Sequence, residues 1–72
     1  MSTGKEDLVN WFSYHAPTPD DIPKYGAIRQ AALEFTEVIL VNTPPSADQT
    51  VAIRRVREAV MIANASIACR GR

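Results

Sequence analysis

Two prolines in a row, Pro44 and Pro45, divide this chain. A helix cannot continue through them, because proline lacks the backbone donor and clashes with the preceding turn. On either side lies a seam of apolar residues at helical spacing. Before the break, Tyr25, Ile28, Ala32, Phe35 and Ile39 step by 3, 4, 3, 4. After it, Ile53, Val56, Val60, Ala63 and Ile67 repeat the same steps. Two long helices joined by a short proline turn predict an antiparallel hairpin whose seams face each other. Val38–Val41 is apolar all round, which predicts burial of more than one face there.

Capping residues set the expected boundaries. Thr18-Pro19-Asp20-Asp21 reads as a helix start: a capping hydroxyl, a first-turn proline, then acids at the positive end of the dipole. Pro23 lies too deep for that helix, so either the opening turn is separate or the start is distorted. Ser46 with Gln49 predicts a capping box for the last helix, and Thr3 with Glu6 predicts one for a short N-terminal helix. On that helix Leu8, Trp11 and Phe12 share a face that would pack across the hairpin. The expectation is all-α: helices at about 3–13, 19–42 and 46–70, in one domain spanning 1–72.

At 72 residues, a single core is marginal. The one cysteine, Cys69, allows no internal disulfide, and one His with one Cys argues against a zinc site. Self-association remains, and an apolar fraction of 46% supports it. A second stripe on the last helix, Ile62, Ala65 or Ser66, and Cys69 among small alanines, is the expected oligomer face. Its competitor is packing on the first helix.

Net charge is zero but unevenly spread. Residues 1–45 carry six acids against three bases, and residues 46–72 carry five arginines against two acids. A long nucleic acid calls for a larger basic excess, whereas a small anion needs only a few well-placed arginines. Arg54 lies four residues before Glu58, so a weak surface pair is its plain explanation. The opening MSTGKEDL lacks a basic, then apolar leader pattern, and no run is long enough to span a bilayer. A soluble intracellular chain with Cys69 as a reduced, packed thiol is expected.

Catalysis has little support. His15 is the one conventional base near neutral pH, and a lone His beside aromatics is more often structural. No glycine-rich phosphate loop occurs, and Asp20 and Asp21 suit a helix start better than a metal. Binding has more support. The stretch NWFSYHAPTP gathers the only Trp, the only His, and one each of two Phe and two Tyr. Trp11 and Phe12 would anchor the helix and deliver Tyr14, which can stack on a base. Arg29, one turn beyond Tyr25, can meet a phosphate or stack. Arg70 and Arg72 sit at a helix end, where dipole complementation also explains them.

WFSYHAPT, KYGAIRQAALEF and PPSADQTVAIRRVREAVMIANASIAC together resemble the helical-hairpin family of phage anti-CBASS proteins, shared with phage anti-Thoeris sponges. The resemblance runs from about Leu8 to Arg70, and this short chain is more similar to the anti-CBASS branch. It implies a non-enzymatic sponge, without cofactor or metal, that sequesters cyclic oligonucleotide signals in the cytoplasm of the infected bacterium. It implies a hexamer of hairpins with cyclic dinucleotides, of the cGAMP type, between protomers. In some members cyclic trinucleotides such as cyclic tri-adenylate bind around a threefold axis. By the same resemblance Tyr14 would stack on a base in the dinucleotide pocket, with Arg29, His15 and Lys24 beside it. Arg70, with Arg72, would serve the trinucleotide site. The competing readings are a helical protein-interaction module using the alanine stripe, and a small DNA- or RNA-binding hairpin using Arg54, Arg55 and Arg57.

Overall fold

The computed structural model describes residues 3–72. These form three helices, α1 (Lys5–Trp11), α2 (Ile22–Asn42) and α3 (Ala47–Ala68). Helices α2 and α3 pack along each other as an antiparallel hairpin, as both ends demonstrate. At the turn, the Gln49 amide donates to the Leu40 and Thr43 carbonyls, at 3.3 and 3.1 Å. At the open end, Arg70 beyond α3 reaches Asp21 before α2, at 2.9 Å.

Local chemistry explains each boundary. Ser46 caps α3 by accepting from the Gln49 N–H at 3.1 Å. Only half of the expected box forms, because the Gln49 side chain turns instead to the unpaired carbonyls ending α2. Thr18 caps a separate turn, and the long helix begins at Ile22 with Pro23 in its first turn, where proline is tolerated. Helix α1 is shorter than expected and starts after Gly4, not Thr3. The Asp7 carboxylate, not Glu6, accepts from the Gly4 N–H at 2.9 Å. The last turn of α3 closes with two bonds, Gly71 N–H to the Ser66 carbonyl at 2.8 Å and Arg70 N–H to the Ile67 carbonyl at 3.2 Å. That pattern is a Schellman motif, and it places Arg70 and Gly71 at φ +57° and +76°.

The α3 seam is as expected: Ile53, Val56, Val60, Ala63 and Ile67 are all half-buried. The α2 seam departs at one step. Phe35 is 56% exposed, and Thr36 takes the inner position. Thr36 can sit there because its hydroxyl donates to the Ala32 and Leu33 carbonyls of its own helix. At Val38–Val41 only Ile39 is half-buried, so the expected burial on several faces is not found in the single chain.

Helix α1 does not lie across the hairpin. It docks at the end of α3 through Asn10, whose amide donates to the Cys69 carbonyl at 3.4 Å, and Trp11, whose indole donates to the Arg72 carbonyl at 2.7 Å. Phe12 anchors nothing, being 85% exposed, because it follows the last turn of this seven-residue helix. Cys69, a free thiol, is the one buried apolar residue among those described, so it leaves the proposed stripe. Ala59, Ile62, Ala65 and Ser66 of that stripe stay exposed. No described side chain is fully buried. The radius of gyration is 15.3 Å, against about 11 Å for a compact chain of this length.

Candidate functional site

The open end of the hairpin collects the chain's polar and aromatic side chains. Three segments meet there: the loop after α1, the turn before α2, and the tail after α3. The turn is built first. Thr18 and Asp21 cap each other: Asp21 N–H donates to Thr18 Oγ1 at 3.3 Å, and Thr18 N–H donates to Asp21 Oδ2 at 3.2 Å. This leaves Asp21 Oδ1 aimed at the tail, where the Arg70 guanidinium donates to it at 2.9 Å. Asp21 is 2% exposed, the one buried charged residue among those described.

The pairing sets the electrostatics. The Arg70 hydrogen bond holds the Asp21 carboxyl down at about 2, with Thr18 assisting and burial pushing the other way. The same bond raises Arg70 above its ordinary value. The acids read as a helix start therefore divide: Asp20 remains exposed, while Asp21 is both cap and ion-pair partner.

His15 is half-buried and structural in its contacts, with Nε2 donating to the Asn10 carbonyl at 2.6 Å. The Cys69 thiol lies 3.9 Å from the same carbonyl and 4.0 Å from the same ring nitrogen. The ring thus ties the loop to α1 and the end of α3. Tyr14 does the opposite. It is 88% exposed, and its hydroxyl bonds to no described residue.

Three clefts open here, one of them between α1, His15 and Arg72, and the other two hold residues singled out from sequence. One, of about 340 Å³, is lined by Tyr14, His15, Asp21, Tyr25, Arg70 and Arg72 among others. The other, of about 400 Å³, is lined by His15, Pro17, Ile22, Tyr25 and Arg29. His15 and Tyr25 border both of these two. Tyr14 and His15 thus share a cleft with Arg70 and Arg72, while Arg29 lies in the neighbouring one and Lys24 lines neither. Asp21, Asn10 and Tyr25 were not singled out as site residues from sequence. The Thr18–Asp21 spacing was the one available signal, and it spoke only of capping. Among the described residues no cluster of three His, Cys, Asp or Glu is placed to hold a metal. No described helix is long and apolar enough to cross a membrane.

An all-helical hairpin with polar and aromatic clefts at its open end is a binding scaffold in form. The family model for the Acb2/Tad1 hairpin domain matches residues 4–68, nearly the whole chain. The chain belongs to the Acb2/Tad1 family, the anti-CBASS and anti-Thoeris sponges, which are binding proteins and not enzymes. Comparison with curated proteins and with solved structures gave no match.

Proposed function

We propose that this chain is a phage sponge that binds and sequesters cyclic di- and trinucleotide signals of bacterial CBASS defence, in the cytoplasm of the infected host. One observation carries the reading most: Tyr14 presents an unattached ring, 88% exposed, at the rim of a cleft containing Arg70 and Arg72. Base–aromatic stacking on such a ring contributes about 1–3 kcal/mol. The arginines suit the phosphates. Family membership supports the ligand class.

The working form is a homo-oligomer, a hexamer by family resemblance. The absence of any fully buried side chain among those described supports association, since a lone hairpin leaves its apolar faces in water. Tyr14 and Arg29 line different clefts of one chain. A pocket shared between protomers would bring a Tyr14 and an Arg29 to one ligand, with Lys24 and His15 at its edges.

The test is titration calorimetry against a panel of cyclic di- and trinucleotides, repeated with Tyr14→Ala, followed by chromatographic recovery of the ligand. Binding that weakens by about 5- to 150-fold in the variant, with ligand recovered intact, is the expected result. A protein that binds no member of the panel at micromolar concentration would refute the reading. A second reading, a protein-interaction module, draws on the exposed Val38, Leu40 and Val41 near the hairpin turn. It predicts that Tyr14→Ala leaves function intact.

A further inference from the structure

Arg70 holds a backbone conformation, φ +57°, that residues other than glycine rarely adopt. Glycine stands one position later, so the helix end uses two left-handed residues where the motif commonly uses one. The side chain shows what this turn accomplishes. It carries the guanidinium across the open end of the hairpin to Asp21, on the far side of the cleft.

The two partners are unequal. The Asp21 side chain is 3% exposed and the Arg70 side chain 57%. Asp21 is held on one carboxylate oxygen, Oδ2, by the Thr18 N–H, and its backbone N–H is held by the Thr18 hydroxyl. It engages a single guanidinium nitrogen, Nη1, through Oδ1. Nε and Nη2 of Arg70 have no partner among the described residues. An arginine held along one edge still offers N–H donors to an anion, and a phosphate accepts them in bidentate fashion.

We propose that Asp21 is a positioning residue for anion binding at Arg70: it fixes the guanidinium in the cleft so that its open edge meets a phosphate of a cyclic trinucleotide. This rests on the reading of Arg70 as a ligand-binding residue given above. Two effects of Asp21 oppose each other. Its charge weakens the attraction of Arg70 for a phosphate. Its grip removes the rotamer freedom that a long side chain otherwise loses on binding, a cost equivalent to about three- to tenfold in affinity. A phosphate on the open edge would lie on the side of the guanidinium away from Asp21, where the carboxylate acts at its longest range, and on this proposal the ordering outweighs it.

Calorimetry with cyclic tri-adenylate as probe separates these effects. Asp21→Ala should bind about three- to tenfold more weakly. Asp21→Asn keeps an oxygen acceptor for Arg70 without the charge, and should bind at least as well as the parent. In an Arg70→Ala background, Asp21→Ala should change nothing further, because its effect passes through Arg70. Far-UV circular dichroism and the melting temperature of each variant report whether the fold is intact at the assay temperature. Unchanged or tighter binding by Asp21→Ala would overturn the proposal, as would an equal loss in the Arg70→Ala background. A parent chain that binds cyclic dinucleotides but not cyclic tri-adenylate sinks this proposal alone. A parent that binds neither overturns the sponge reading with it.

Discussion

Ile62 offers a direct test of whether the hairpin works as an assembly. It stands on the exposed stripe of α3 with Ala59, Ala65 and Ser66, and 64% of its surface meets solvent. Fully burying an isoleucine stabilises by about 1.5–3 kcal/mol. Covering the remaining 64% is therefore a gain of about 1–2 kcal/mol per subunit. In the proposed hexamer this reaches about 6–12 kcal/mol, comparable to the whole stability of a small domain. If the chain were monomeric, Ile62→Ala would be a surface change within about 0.5 kcal/mol. In the assembly it should cost about 1–2 kcal/mol per subunit. Ile62→Asp adds the expense of desolvating a carboxylate and should break the assembly apart. Sedimentation velocity across a dilution series gives the mass, and thermal melting at the same concentrations gives the stability. The parent should be oligomeric, with a melting temperature that rises with concentration, and Ile62→Asp should sediment as a smaller species. Parent and Ile62→Asp chains of identical mass and melting temperature would refute the reasoning, and the stripe would be ordinary solvated surface.

Other perturbations test the fold at single points. Because Arg70 lowers the Asp21 carboxyl from 3.8 to about 2, their pairing stabilises fully above pH 3.8 and is lost as pH falls through about 2. Acid melting curves of Asp21→Asn should lack that component of the decline, and identical curves for both chains would contradict it. Ser46→Ala removes the cap on Gln49 N–H and should cost about 1 kcal/mol, read as a fall of several degrees in melting temperature. Gly71→Ala should destabilise by about 1–2 kcal/mol, although a methyl there meets nothing within 4 Å, because φ is +76°. Chemical denaturation measures that loss, and a neutral result would mean that the tail leaves this conformation at no cost.

How much of this was legible in the sequence depends on the range of each interaction. Helix positions come from local rules, and those succeeded where one residue had one role. Ser46 caps, Pro44 and Pro45 stop α2, and the α3 seam turns inward residue by residue. They failed where a side chain had a better partner elsewhere. Gln49 left its own helix start for the carbonyls that end α2. Phe35 yielded to Thr36 because the helix advances by 3.6 residues, and the alternating 3, 4 count hid which neighbour would face in. Trp11 followed its indole N–H to the Arg72 carbonyl, a bond to the last residue of the chain that no local pattern encodes. The candidate site shows the same division. Tyr14 was legible as an aromatic leading into the loop, but the Phe12 expected to help anchor it is exposed. Asp21 was legible only as a cap, since its partner Arg70 lies 49 positions away.

That separation also bears on how such a site can exist in so small a chain. The open end of a two-helix hairpin brings together the positive end of one helix and the negative end of the other. Asp21 stands at the start of α2 and Arg70 just beyond the end of α3, so each charge complements the dipole beside it as well as its partner. The pair thus ties the hairpin closed at the end lacking a covalent turn, and α1 adds its own tie through Asn10 and Trp11. A ligand phosphate arriving at Arg70 would meet a guanidinium already held on one side. Neither helix supplies such a pair alone, and the cleft that holds it is completed by the loop carrying Tyr14 and His15.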